Sequence, residues 1–594
     1  MCGIIGYIGE QKAAPLLIEG LKRLEYRGYD SAGIATVSDE PLTLHELTTY
    51  RVVGKVEGLD GLGTKLPGSL GIGHTRWATH GAPSKENAHP HRSGAVSVVH
   101  NGIIENHEEL RRELILQGFK FRSVTDTEVL PHLINRELKN GVNSLSGAVA
   151  KALTQVEGAY AIAVVSSEHG DELVAACNSS PLVVGIGKNE LYVASDELAL
   201  AGKVDAVAHL KDGELVVLKR NGSYMFRGIS LNEVKTRLEK PSVADEISKG
   251  GHTHYMYKEI LEQPQAMRNV LAGRLREGSP VTFGGFTPDI EGRLEDARRI
   301  TLVGCGTSLF AAMAGKAFIE RLARVVCEAE QAAEFYRDPM LSSGDVVVGV
   351  SQSGETADTL HAMALAREHH ALCLGVTNRV GSALSKRVRA GIYLHAGPEV
   401  AVASTKAFTA QAAALLLFAV HLAELQKRPV SGALLGQLLL LPALMADTLQ
   451  KEDEIKRTAY QCKDAKRMIV IGRGYGLPLA LEAALKIREV AYLDAHGLSA
   501  SELKHGTLAL VEPGVPVVAI MPSGALRDKM LSNLEEVKAR GGRVIPIEPP
   551  ASLPDELVPI VLAPLVQLLA YHLGVAREVD VDQPRNLAKS VTVE

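Results

Sequence analysis

Three times in the second half of this chain, an apolar run stops at a cluster of small residues and gives way to a helical stretch. Arg299–Val303 ends in Gly304-Cys305-Gly306-Thr307-Ser308. Asp345–Val350 ends in Ser351-Gln352-Ser353-Gly354-Glu355 before a helical stretch to about His369. Arg467–Ile471 ends in Gly472–Gly476 before a helix through Glu489. Strand, small-residue turn, helix is the pattern of a parallel sheet covered by helices. The plan begins near residue 299 and again near 467, with a long helical segment between. Two related α/β lobes in tandem are therefore expected, at about 290–429 and about 458–580.

The first part of the chain has another texture. Short β-prone runs such as Ala95–His100, Ala159–Ser166 and Leu173–Ala176 are broken by Gly and Asn, which predicts antiparallel sheets with some helices. Around Lys240–Gly251 the pattern lapses into Pro, Ser, charged residues and a Gly pair, a linker composition. At 594 residues the chain is too long for one core. The expected domains are 1–239, a linker at 240–251, and 252–594 with a tail at 581–594.

Composition excludes several classes. The net charge of −5 and the lack of a Lys/Arg-rich run argue against nucleic acid as a partner. The most apolar run, Ala412–Val420, falls short of the roughly 20 residues that span a bilayer, and reads as a buried helix rather than a membrane segment. The start, Met1-Cys2-Gly3-Ile4, has neither a basic region nor a long apolar one, so no signal peptide is expected. The six Cys are scattered, without C-x-x-C pairs or metal-ligand spacing, which points to reduced thiols in a cytoplasmic protein and to no metal.

Position two changes the meaning of a cysteine. If Met1 is removed, Cys2 carries both a thiol, pKa about 8.5, and a free α-amine of about 7.7–8.0 that can serve as its base. Polar, Gly-punctuated segments follow: Arg27–Gly33, Gly73–Gly81 with Arg76 beside the only tryptophan, Trp77, then His100-Asn101-Gly102, and Ser123–Glu128 with Asp126. Hydrolysis of the side-chain amide of an amino acid needs these types: a cation for the α-carboxylate, an anion for the α-amine, and two donors for the oxyanion. Singly, each has a plainer reading. Asn101-Gly102 fits a type I′ turn, Arg76 a surface ion pair, Asp126 a helix N-cap. Together, behind a Cys at position two, they resemble a class II glutamine amidotransferase, an N-terminal-nucleophile hydrolase with an α/β/β/α sandwich. The resemblance covers about the first 240 residues. It implies Cys2 as nucleophile, Asn101 and Gly102 as the oxyanion hole, Arg76 and Asp126 as the glutamine clamp, and Trp77 as the gate of an ammonia path.

The hydroxyl clusters of the second half, Thr307-Ser308, Ser351–Thr356 and Val402–Lys406, read as turns after strands and suit a phosphate cradle or, singly, helix N-caps. Gly304-x-Gly306 lacks a third Gly, and in Gly472-x-Gly474-x-Gly476 the third comes one place early, so a dinucleotide fingerprint is absent. Glu482, Lys486 and Glu489 share one helix face, as a salt-bridged trio would. His505 sits at a turn. The end, Asp580–Glu594, has apolar residues to pack and carries Lys589, an amine able to form a Schiff base if desolvated. Val591 and Val593 are expected to pin this tail by burial, and Arg585 is a candidate cation to lower the Lys589 pKa.

This half resembles a pair of sugar isomerase (SIS) domains. With the first half, and above all through the ending Asp582-Gln583-Pro584-Arg585-Asn586-Leu587-Ala588-Lys589-Ser590-Val591-Thr592-Val593-Glu594, the whole chain resembles the isomerising glutamine-dependent aminotransferases that make glucosamine 6-phosphate. The resemblance implies glutamine and fructose 6-phosphate as substrates, no cofactor, and a homodimer. Ser308, Ser351, Gln352, Ser353 and Thr356, with the adjoining Thr307, would bind the phosphate and nearby hydroxyls. Val402 and Ser404 would line the sugar site. Lys589 would form an imine, Glu489 would move a proton between C1 and C2 with Lys486 nearby, and His505 would reach in from the neighbouring subunit to open the ring. The stretch His496–Ser501 and Thr507 depart from the usual family wording, in what reads as a loop beside His505. No paired-Asp phosphoribosyltransferase signature, no S-G-G-x-D-S loop and no helix-turn-helix output module accompanies these motifs. A sugar-phosphate deaminase would not need Cys2.

Overall fold

The computed structural model describes residues 2–38, 46–62, 65–78, 80–241, 248–336 and 340–591, in two compact units that divide near residue 246. Thr79, residues 242–247 of the linker reading, and Val593 lie outside the described residues.

The first unit is an α/β/β/α sandwich. Its seven-stranded antiparallel sheet is built around β1 (Gly3–Ile8), which pairs with β2 (Leu70–Arg76), Ile5 opposite Gly73. Its six-stranded antiparallel sheet contains β3 (Val96–Ile104) and β4 (Gly158–Ser166), with Asn101 opposite Ala161. Successive side chains on a strand point to opposite faces. Ile4 and Ile8 therefore join Val99, Ala161 and Ala163 in the core between the sheets, while Ile5 and Tyr7 pack with the helix Ala13–Leu24. The helices Val129–Lys139 and Leu145–Leu153 cover the other sheet through Val96 and Val98. Because both faces of each sheet are buried, the strands read as continuous apolar runs. His100-Asn101-Gly102 lies inside β3 and not in a hairpin turn, since the strand runs on to Ile104.

The second unit holds two parallel sheets. In the first lobe β5 (Arg299–Gly304) leads into α1 (Thr307–Leu322), and β6 (Val346–Ser351) into α2 (Ala357–Glu368). The strand order places β5 beside β6 in a sheet of five. A helical segment that begins with α3 (Lys406–Leu425) follows. In the second lobe β7 (Arg467–Gly472) leads into α4 (Gly476–Ala491), then β8 (Asp494–Ser499) and β9 (Pro516–Ile520), in a sheet of four ordered β8-β7-β9 and then Arg543–Ile547. One continuous core of buried apolar residues runs through both lobes and the helices between them.

Three expectations need correction. The helix carrying Ala412–Val420 is 20 residues long, and it and Asp555–Ala576 are apolar enough to cross a membrane by length and composition. They are nevertheless 89% and 94% buried inside the fold, as helices of the core. The stretch His496–Ser501 is no loop: its first four residues complete the edge strand β8, and a 3₁₀ turn, Ala500–His505, follows. Val402–Lys406 does not directly follow a strand. It ends an irregular segment and leads into α3.

Candidate active sites

Cys2 sits at the head of β1, where the Trp77 backbone N–H donates to its Sγ at 3.4 Å. Burial pushes its thiol up from the ordinary value, and the Trp77 N–H and the Arg76 charge pull the other way. A thiol of this kind needs a nearby base to become a nucleophile. The Asn101 Nδ2 donates to the Cys2 carbonyl at 2.9 Å, which places the side-chain amide beside the thiol residue. Gly102 has φ +130°, and a Cβ there would stand 1.9 Å from the Ala159 carbonyl oxygen, so only glycine fits next to Asn101.

Arg76, at the end of β2, is 3% exposed and no surface ion pair. Its Nη2 donates to the carbonyls of His80 and Gly81, while the buried Nη1 has no partner among the described residues. A buried guanidinium with one arm unspent is suited to a carboxylate. Asp126 does not cap its own helical turn; its Oδ2 accepts the Ile104 N–H of β3 at 2.9 Å. Trp77 is half-buried.

Sequence reasoning did not single out the histidines behind this site. The His74 Nε2 lies 3.1 Å from Asn101 Oδ1 and 2.9 Å from the His100 carbonyl, and its ring stacks on His89 at 4.0 Å. His89 and His100 both reach the Thr127 hydroxyl, at 3.0 and 2.8 Å. Burial pushes His74 and His91 down to about 3, and His89 and His100 below the ordinary range. The cluster is neutral at physiological pH and fixes the Asn101 amide. Arg27, buried with Asp196 at 2.9 Å, donates to the Cys2 carbonyl at 3.3 Å.

In the second unit Thr307 and Ser308 open α1 after Gly306, whose φ is +53°. Thr307 Oγ1 donates to Glu482 at 3.0 Å, and Ser308 Oγ accepts from Gln411 at 3.0 Å. The loop after β6 turns on itself. Ser351 Oγ meets Thr356 Oγ1 at 3.0 Å and accepts the Gly354 N–H at 3.0 Å, and Ser353 Oγ accepts the Glu355 N–H at 3.1 Å. Gly354 has φ +67°, with no room for a Cβ beside Ser382. The Gln352 carbonyl accepts the Asn378 N–H at 3.1 Å. These hydroxyls thus shape a loop at the start of α2, and Thr356 makes no side-chain cap bond.

Glu482, Lys486 and Glu489 line one face of α4. Lys486 Nζ lies 2.6 Å from the half-buried Glu489 and 3.6 Å from the buried Glu482. Burial pushes Glu482 up to about 8, against the pull of Lys486, so this carboxyl holds its proton at neutral pH. Burial pulls Lys486 down, yet its two carboxylate neighbours outweigh that and hold it above the ordinary value. The trio carries one positive and one negative charge, a balance that a desolvated site tolerates.

Lys589 brings the tail to the same place. It is buried, forms an ion pair with the buried Glu399, and donates to Ser404 Oγ at 3.3 Å. Burial raises Glu399, but Lys589 and the N–H groups of Thr405 and Ala407 outweigh it and hold the carboxylate below its usual range. Glu399 also acts on Lys486, which ties the tail lysine to the trio. The tail is pinned otherwise than expected. Val591 is 42% exposed, and its carbonyl, not its side chain, anchors it by accepting the Ala357 N–H at 3.1 Å. Asp582 accepts the N–H groups of Tyr255 and Met256 at 2.9 and 2.8 Å, and its carbonyl accepts that of Val402 at 3.0 Å. Arg585 lies over the Tyr492 ring at 4.3 Å, so the charge beside Lys589 is the carboxylate of Glu399 and not a cation. His505 is exposed, and no contact among the described residues joins it to the trio or to Lys589.

Glu399 was not legible as a site residue, nor was Glu259. Burial, with Glu399 adding to it, raises Glu259 to about 8; its Oε1 accepts the N–H groups of Val400 and Ala401, and its Oε2 has no partner among the described residues. Among the described residues, no three His, Cys, Asp or Glu converge as a metal-ligand set.

Residues 293–421 and 462–548 match the family model of the SIS domain, and residues 74–202 that of the glutamine amidotransferase domain. Over its full length the chain is 46% identical to a glutamine–fructose-6-phosphate aminotransferase (isomerizing) of Chlorobaculum tepidum and 44% identical to one of Thermococcus kodakarensis, with 100% of each covered. The C-terminal domain of glucosamine-fructose-6-phosphate aminotransferase from Francisella tularensis superposes with a TM-score of 0.53 at 36% identity, over 57% of this chain and 100% of that one.

Proposed function

This chain belongs to the isomerising glutamine–fructose-6-phosphate aminotransferases, and from that premise we propose how its residues divide the work. The enzyme converts fructose 6-phosphate and glutamine to glucosamine 6-phosphate and glutamate. At the first site Arg76 holds the glutamine carboxylate and Asp126 its amine. The Cys2 thiol, its proton taken by the α-amine freed when Met1 is removed, attacks the amide carbon. The oxyanion receives hydrogen bonds from Asn101 and the Gly102 N–H. Ammonia leaves with that proton, water hydrolyses the thioester, and ammonia passes internally, with Trp77 as its gate, to the sugar.

At the second site Thr307, Ser308, Ser351, Gln352, Ser353 and Thr356 hold the phosphate and nearby hydroxyls, and Val402 and Ser404 line the chain of the ketose. The neutral amine of Lys589 condenses with the C2 ketone and releases water; Glu399 is placed to take its proton. Ammonia displaces the lysine at C2. Glu489, oriented by Lys486, then carries a proton from C1 to C2, which turns the ketose imine into the amino aldose. His505 opens the ring from the neighbouring subunit of a homodimer, a reading favoured by its exposure and its lack of contact with the trio. The six free thiols suit a reducing cytoplasm.

The observation that carries this reading is the seat of Lys589: a buried amine near the chain end, paired with Glu399 within electrostatic reach of the α4 trio. Cys2→Ala is expected to abolish glutamine hydrolysis while hexose-phosphate binding persists. Lys589→Arg is expected to abolish synthesis while Cys2 still hydrolyses glutamine. Synthesis in Lys589→Arg, or glutaminase activity in Cys2→Ala, would overturn the assignment.

A further inference from the structure

The second lobe keeps the frame of the sugar site but not its chemistry. Gly472-x-Gly474 repeats Gly304-x-Gly306, and Gly474 and Gly306 share φ +53°. In the parallel sheets Thr301 pairs with Val347 and Ile469 with Val517. Counted from those pairs, Ser523-Gly524 stands where Ser353-Gly354 stands in the first lobe. The two helices exchange roles as well. In the sugar site α4 faces the start of α1, Thr307 touching Glu482. At the opposite end α1 faces the start of α4, where Tyr475 stacks on Phe318 at 5.6 Å. By the same count Phe318 and Arg321 occupy the places of Lys486 and Glu489. The groups that move protons are gone, and a guanidinium stands in for the catalytic carboxylate.

A cavity of about 360 Å³ opens at this point, between the ends of β7 and β9 where the strand order reverses, the usual ligand position of an open parallel sheet. Arg321, Arg324 and Arg473 line it. Its two carboxylates are engaged: Asp555 accepts the N–H groups of Ser523 and Gly524 at 2.7 and 3.0 Å, and Glu320 pairs with Lys316 at 3.1 Å. Arg473 bonds Asn533 at 3.0 Å, whereas Arg321 and Arg324 form no ion pair among the described residues. The Ser523 hydroxyl is buried without a partner among them. Asp555 already fills the backbone cradle that the Ser-Gly turn offers, so an anion here would be held by guanidiniums. Their forked donors match a phosphoryl group.

We propose that the second lobe retains a non-catalytic site at this cavity for a phosphorylated small molecule of hexose-phosphate size, held by Arg321, Arg324 and Arg473. The site is separate from the sugar site, which lies at the other end of the α1–α4 pair. The test is equilibrium dialysis of the full chain with radiolabelled glucose 6-phosphate at millimolar concentration. Two molecules per chain are expected in the unmodified protein and one in Arg321→Ser/Arg324→Ser. That variant replaces exposed side chains and should synthesise glucosamine 6-phosphate with unchanged kcat and KM. Unphosphorylated glucose should not compete for the second molecule. One molecule per chain in the unmodified protein, a stoichiometry of two that survives the double substitution, or equal competition by glucose would each overturn the proposal.

Discussion

Around Cys2 the buried histidines are held neutral; around Lys589 buried lysines are set against carboxyl groups, Lys589 against Glu399 and Lys486 against Glu489 and Glu482. Each pattern suits what its site must do. Amide hydrolysis needs an oxyanion stabilised by donors that do not themselves give up a proton, and neutral His74, hydrogen-bonded to Asn101, fixes the side chain proposed as such a donor. Isomerisation must lift a proton from one carbon and set it on the next, and the proposed carrier Glu489 lies 2.6 Å from the Lys486 amine, beside Glu482, whose carboxyl burial raises to about 8. The same desolvation lowers the imidazoles of the first unit and raises the Glu482 carboxyl of the second.

The contrast breaks most readily at the carboxylate. Glu489→Gln removes the group assigned to carry the proton and should slow synthesis by about 10²- to 10⁴-fold, with glutamine hydrolysis intact. A rate within a few-fold of the unmodified enzyme would place the base elsewhere. At the first site Asn101→Ala removes one of the two proposed oxyanion donors and should lower kcat for glutamine hydrolysis by about 10²- to 10³-fold with little change in hexose-phosphate binding. If only KM rises, Asn101 binds substrate and does not stabilise the oxyanion.

A smaller effect sharpens the comparison through pH. For Glu128, behind the first site, burial raises the carboxyl, but His132, the Ser123 hydroxyl and the N–H groups of Arg122 and Ser123 outweigh it and depress it to about 2. Its stabilisation is full above the unfolded value of about 4.3 and is lost as pH falls towards 2. Glu482 has the opposite sign. Raised to about 8, it contributes fully below about 4.3, and that contribution is lost as pH rises through 8. Thermal midpoints across pH should therefore show a shallower acid-side fall in Glu128→Gln and a shallower alkaline-side fall in Glu482→Gln. Profiles parallel to that of the unmodified protein in both variants would refute the assignment.

Much of this was legible along the chain because it is local. Each strand, small-residue turn and helix of the second unit is contiguous, and Asn101-Gly102 sits in one strand. What escaped is non-local. Glu399 follows Gly397-Pro398 in a stretch without regular secondary structure, and its partner Lys589 is 190 residues away. No periodicity connects them. His74, His89 and His100 come from separate segments, His74 and His100 on strands of different sheets, and meet only when the sheets pack. The tail was misjudged for a related reason: apolar Val591 suggested burial, whereas the backbone carbonyl beside it and the carboxylate of Asp582 hold the tail in place. Arg585, close in sequence to Lys589, is taken up by Tyr492.

The central claim is that a lysine near the chain end is the covalent partner of the sugar. It is tested most directly by borohydride reduction of the full chain in the presence of fructose 6-phosphate, followed by mass mapping of the peptides. A single adduct of reduced fructose 6-phosphate at Lys589 is the predicted result. An adduct at Lys486 or Lys406, the other deeply buried lysines, or an enzyme that yields no adduct while it turns over, would contradict it.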